Sequence, residues 1–92
     1  MEKKRVAVRI EGLVQGVCFR ASTKEAALGE GVRGWVKNLP DGRVQALFEG
    51  YADAVDRMVL WCNKGNSYSR VKRVEVLEEE YRGDFSRFEI RY

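Results

Sequence analysis

The spacing of apolar residues along this chain switches repeatedly between two and about 3.6, and the order of those switches restricts the fold more than any other feature. Val6, Val8 and Ile10 alternate with Arg5, Ala7 and Arg9, the pattern of a half-buried strand. The stretch from Gly12 to Gly16 interrupts it. Ser22-Thr23-Lys24-Glu25 has the form of a capping box, the helix formers Ala26, Ala27 and Leu28 follow, and Gly29 and Gly31 close the predicted helix. Val32, Trp35 and Val36 predict a second strand, Leu39-Pro40-Asp41-Gly42 a tight turn, and Val44, Ala46 and Phe48 a returning strand, so residues 32 to 49 read as a β-hairpin. Asp53 is expected to cap a second helix, in which Val55, Met58, Val59 and Cys62 form one apolar stripe and Lys64-Gly65 the ending. Beyond the polar loop Asn66 to Arg70, Val71, Val74 and Val76 predict a fourth strand, and Phe88, Ile90 and Tyr92 a last one. The order strand, helix, strand, strand, helix, strand, with a final strand pair, is that of a ferredoxin-like α+β sandwich (βαββαβ). In that fold two helices cover one face of an antiparallel sheet.

Ninety-two residues are expected to form one domain, residues 1–92. The chain has no histidine, which excludes Ser-His-Asp and Cys-His nucleophile systems, imidazole acid–base catalysis and the common zinc sites. Its two cysteines, Cys18 and Cys62, are too far apart in sequence for a Cys-x-x-Cys knuckle. Met1-Glu2-Lys3-Lys4-Arg5 runs straight into the first strand without a signal-peptide stretch, and no window approaches the ~20 apolar residues of a membrane span. The expectations are a cytoplasmic protein, no membrane association and free thiols. A net charge of +3 favours an anionic ligand but falls well short of the field of a nucleic-acid protein.

Two segments hold candidate chemistry. Gly12-Leu13-Val14-Gln15-Gly16-Val17-Cys18-Phe19-Arg20 joins the first strand to the first helix. A glycine-containing loop feeding a helix can turn several N–H groups toward one point, which suits phosphate, and Arg20 adds a planar fork of donors. Read alone, the loop is more simply a strain-relieving turn and Arg20 a solvated charge. It is neither a Walker loop nor Gly-x-Gly-x-x-Gly. The second segment, Gly34-Trp35-Val36-Lys37-Asn38-Leu39-Pro40-Asp41-Gly42-Arg43-Val44, ends a strand on Asn38, which alone reads as a turn residue.

Together the two segments resemble the acylphosphatase family. Its first signature, Gly-x-Val-Gln-Gly-Val-x-Phe/Tyr-Arg, is met in full by residues 12 to 20, and its second by Gly34, Trp35, Val36, Asn38, Gly42, Val44 and Gly50. The likeness covers nearly the whole chain. It implies a small, free-standing, monomeric hydrolase that cleaves the carboxyl–phosphate bond of small acyl phosphates to a carboxylate and inorganic phosphate, with no metal or other cofactor. It also implies a role for each matched residue. The backbone of Gln15, Gly16, Val17, Cys18, Phe19 and Arg20 would cradle the phosphate, or a sulfate in its place. Arg20 would grip the anion, and Asn38 would hold the attacking water. The resemblance further implies that the first helix starts near Arg20, a turn before the capping box. The Asn66-Ser67-Tyr68-Ser69 loop departs from the pattern by lacking a proline that such chains often carry there.

The chemistry is compatible with a chain that lacks histidine. A carboxylate leaving group, with a conjugate-acid pKa of roughly 4, departs without protonation. Two rivals fail on spacing. A cysteine phosphatase needs five residues between nucleophile and arginine, whereas only Phe19 separates Cys18 from Arg20. An RNA-recognition sheet would continue Arg33-Gly34-Trp35-Val36 with base-stacking aromatics, and Lys37-Asn38-Leu39-Pro40 does not. No nucleic-acid partner is therefore expected. Lys3, Lys4, Arg5 and Arg9 read as surface charge, Glu78-Glu79-Glu80 as a solvated edge, and neither Asp41 nor Glu49 has a sequence neighbour suggesting an acid–base pair.

Overall fold

A computed structural model describes residues 2–92 of the chain. The elements are β1 (Lys3–Leu13), α1 (Phe19–Glu30), β2 (Arg33–Asn38), β3 (Val44–Tyr51), α2 (Ala52–Lys64), β4 (Arg70–Glu79) and β5 (Phe88–Arg91). They build one five-stranded sheet in the order β4-β1-β3-β2-β5. Val6, Val8 and Ile10 of β1 align with Phe48, Ala46 and Val44 of β3, and all six are buried on the face that packs against the helices. Ala27 of α1 and Val55, Met58 and Cys62 of α2 fill the same core. This is the ferredoxin-like α+β sandwich expected from the periodicity.

Three features differ from the sequence reading. The last two strands do not pair with each other. They lie at opposite edges, and β5 runs parallel to β2, the one parallel pairing in the sheet. The capping box at Ser22 is not a helix start: α1 begins at Phe19, and Ser22 N–H already bonds Cys18 O at 3.0 Å. Packing accounts for this. The Phe19 ring is buried 5.3 Å from the Trp61 ring, and full burial of such a side chain stabilises by about 1.5–3 kcal/mol, against about 1 kcal/mol for a side-chain cap. Likewise α2 is entered directly from β3, with Tyr51 as its N-cap. Asp53 lies in the first turn, where its carboxylate accepts the Ala54 N–H at 2.9 Å and suits the positive end of the helix.

The fourth strand carries an irregularity that alternation hides. Val71 and Val74 both pack against the core although three positions apart. A bulge makes this possible: Glu11 pairs with Arg73 and Gly12 with Val71, which leaves Lys72 without a partner. Gly34, at φ 139°, is where β2 and β3 come closest, since a Cβ there would collide with the Leu47 carbonyl.

Arg5 is not a surface charge, and Glu49 is not isolated. Both are buried on the sheet face away from the helices. Arg5 Nη1 lies 3.2 Å from Glu49 Oε2 and 3.2 Å from Asp84 Oδ2, while its Nε donates to Glu79 at 2.9 Å. The Glu49 carboxylate also accepts the N–H groups of Arg82, Gly83 and Asp84, each at 3.1 Å. The cluster fastens the β4–β5 connection to the sheet. Desolvation pushes the Glu49 pKa up, but the Arg82 N–H, the Arg5 guanidinium and the Gly83 and Asp84 N–H groups outweigh it. The carboxyl is held below its ordinary value. Residues so far apart in sequence give no periodic signal, which is why the pairing was not legible there.

Candidate active site

Topology selects the site. β1 and β2 are both antiparallel to β3, and β5 is parallel to β2, so the C-terminal ends of β1, β2 and β5 meet at one edge of the sheet. Three sequence segments converge there: the loop from Val14 to Cys18 that leads into α1, Asn38 at the end of β2, and Arg91-Tyr92 at the end of β5. They surround a cavity of about 370 Å³ whose lining includes Gly16, Cys18, Phe19, Arg20 and Asn38.

The loop is built to present donors. Gly16 (φ 75°) and the N-cap Cys18 (φ 58°, ψ 25°) are left-handed, and alternating such residues turns successive N–H groups to one side. No N–H of residues 15–21 donates to a turn, loop or cap acceptor among the described residues. The helix end behind them lacks the usual compensation. Cys18 makes no side-chain cap, and the first turn of α1 contains no acidic residue, only the cation Arg20. That arrangement costs helix stability unless an anion supplies the missing charge.

Arg20 is half-buried and forms no ion pair among the described residues. Its guanidinium lies 4.8 Å from the Tyr92 ring centroid, and Nη1 is 3.5 Å from the Arg91 carbonyl, too long for a strong bond. Its donors therefore remain available. Asn38 lies on the helix-facing side of β2, opposite Val44. Its Oδ1 is buried and accepts no hydrogen bond, the one such side-chain atom among the described residues. A buried amide oxygen left this way is costly, and sites that bind ligand or water are where such atoms are retained.

Of the residues expected in the phosphate loop, Gly16, Cys18, Phe19 and Arg20 line the cavity, together with Asn38; Gln15 and Val17 do not. Gln15 Nε2 donates instead to the carbonyls of Leu39 (2.8 Å) and Arg43 (2.9 Å). It bolts the loop to the turn that follows Asn38, fixing the two halves of the site relative to each other. Val17 turns its side chain toward the core. The sequence reading missed Ile90 and Tyr92 as walls of the cavity, because only the parallel β2–β5 pairing brings the chain end to this edge. Cys18 and Cys62 are both free; Cys62 is buried, which pushes its thiol up to about 12.

A second depression of about 440 Å³ borders Asp41, Arg43, Arg73 and Glu75. Its cations are already neutralised: Arg43 pairs with Asp41 (2.9 Å) and Glu75 (3.3 Å), and Arg73 with Glu75 (3.5 Å). The Arg20 guanidinium, by contrast, forms no ion pair among the described residues.

Comparison with known proteins points the same way. The family model "Acylphosphatase" matches residues 6–90. An acylphosphatase of Syntrophobacter fumaroxidans is 61% identical over all of this chain and 95% of that protein, and one of Rubrobacter xylanophilus is 56% identical over 98% and 82%. The crystal structure of acylphosphatase from Bacillus subtilis superposes with a TM-score of 0.93 at 35% identity, covering 97% of this chain and 99% of that one. With the family model matched over residues 6–90, a relative 61% identical and the same fold, the chain belongs to the acylphosphatase family.

Proposed function

We propose that this acylphosphatase, with residues 1–92 acting as one domain, works by clasping the phosphate of an acyl phosphate in the loop N–H groups and the Arg20 guanidinium while Asn38 orients water toward phosphorus. The observation that carries the reading is that Asn38, whose buried Oδ1 has no hydrogen-bond partner among the described residues, lines the same cavity as Gly16, Cys18 and Arg20. An amide oxygen accepts a hydrogen bond from water but takes up no proton near neutral pH, so Asn38 aims the nucleophile and does not deprotonate it. A substrate phosphate oxygen accepts that proton. The carboxylate leaves unaided. Catalysis then consists of positioning and electrostatic stabilisation, the usual content of phosphoryl transfer, and the scheme needs no metal.

The same reading makes inorganic phosphate, and sulfate in its place, ligands of the cradle. A monomer is the proposed working unit. Two free cysteines support a reducing, cytoplasmic setting. Among the described residues no helix is long and apolar enough to cross a membrane.

The test is phosphate release from an aryl acyl phosphate with a chelator present. Wild-type turnover is expected to persist, and Asn38→Ala is expected to lower kcat by about a hundredfold, the usual cost of a misplaced reactant. Loss of wild-type activity on chelation, or an Asn38→Ala chain of normal kcat, would contradict the scheme.

A further inference from the structure

The loop that leads into α1 is held from outside the site by a residue whose role the signatures do not cover. Asn66 lies in the connection between α2 and β4, half-buried, and its carboxamide is fully engaged. Its Oδ1 accepts the N–H groups of Tyr68 (3.1 Å) and Ser69 (2.9 Å), which fixes its own turn. Its Nδ2 reaches across the fold to the Val17 carbonyl at 2.8 Å and to Ser22 Oγ at 3.1 Å.

The bond to Val17 bears on catalysis because a peptide is a rigid plane. The Val17–Cys18 peptide is trans, so the Cys18 N–H points opposite to the Val17 carbonyl. With the carbonyl drawn toward Asn66, which does not line the cavity, the N–H faces away from Asn66, and Cys18 itself borders the cavity. This orientation is not the relaxed one. Cys18 is the one residue other than glycine with a positive φ among the described residues, and such a conformation needs external support. A flip of the peptide would relieve Cys18 and turn a carbonyl oxygen toward the anion.

Resting on the function proposed above, we propose that Asn66 is a positioning residue of the phosphate cradle, holding the Val17–Cys18 peptide so that the Cys18 N–H is aimed at the bound phosphate. Serine at this position can still accept the turn N–H groups but is too short to reach Val17, so Asn66→Ser separates the two functions of the side chain.

The experiment measures kcat, KM and Tm with an aryl acyl phosphate, and the Ki of inorganic phosphate as competitive inhibitor. The chains compared are wild type, Asn66→Ser, Asn66→Ala, Asn66→Ser/Cys18→Gly and Arg20→Ala. Asn66→Ser is expected to raise the phosphate Ki and lower kcat/KM by roughly three- to tenfold, the scale of one neutral hydrogen bond, with a smaller fall in Tm than Asn66→Ala, which also loses the turn acceptor. Adding Cys18→Gly is expected to recover part of the lost phosphate affinity, because glycine holds the left-handed conformation without strain. A residue that merely shapes its own loop would lower Tm in Asn66→Ala and leave the Ki of Asn66→Ser at the wild-type value, and that result overturns the proposal. If Arg20→Ala also leaves Ki unchanged, the site itself is wrong. If Arg20→Ala weakens phosphate and Asn66→Ser does not, only the role of Asn66 falls.

Discussion

Arg20→Ala is expected to lower kcat/KM for an aryl acyl phosphate by about a hundredfold or more, on the order of 3 kcal/mol of transition-state stabilisation. The size follows from what the guanidinium is free to do. It forms no ion pair among the described residues, its contact with the Arg91 carbonyl is 3.5 Å long, and its other neighbour is the Tyr92 ring, 4.8 Å away at the centroid. Charge gathers on the phosphoryl oxygens in the transition state, and a two-pronged cation placed beforehand meets it without reorganisation. The loop N–H groups survive the substitution, so a residual activity is expected. Arg20→Lys should recover only part of the loss, because an ammonium restores the charge but not the fork. Steady-state kinetics decides it: near-full turnover by Arg20→Ala would remove Arg20 from the mechanism.

The largest expected effect on stability lies on the opposite face of the sheet. Glu49→Ala strips the acceptor from three N–H groups and removes one of the three carboxylates around buried Arg5, which keeps Glu79 and Asp84, a change expected to cost about 2–3 kcal/mol in urea or thermal unfolding. Because the carboxyl is held below its ordinary value of 4.5, its contribution is complete above that pH and is lost as pH falls through the folded-state value. The wild-type unfolding midpoint should therefore drop with acidification below about 4.5, and less steeply in Glu49→Ala. Equal stability of the two chains at neutral pH would show that the cluster contributes nothing net.

The parts of the fold legible in sequence were those carried by local period. Val6-Val8-Ile10, the hairpin around Pro40 and the stripe from Val55 to Cys62 all occupy the expected elements. What escaped depends on partners distant in sequence. The register of β4 is set by a bulge opposite Gly12, and the fate of Arg5 by Glu49 and the 82–84 backbone; the capping box at Ser22 misled, but α1 starts beside Arg20, as the resemblance implied. For the site, the expected loop and Asn38 lie in two short runs, and Gly16, Cys18, Phe19 and Arg20 of the one line a cavity with Asn38 of the other. Gln15 is the instructive case. It was expected to contribute its backbone to the cradle; its side chain serves the turn at Leu39 and Arg43, a role that spacing cannot reveal.

The central claim is that backbone N–H groups and one arginine form the anion cradle, and it can be read directly by titrating isotope-labelled protein with inorganic phosphate while following amide resonances. The account predicts that the amides of Gly16 through Arg20 shift together along one binding curve, and that the response is lost in Arg20→Ala. It is contradicted if those amides stay still while resonances near Arg43 and Arg73 move.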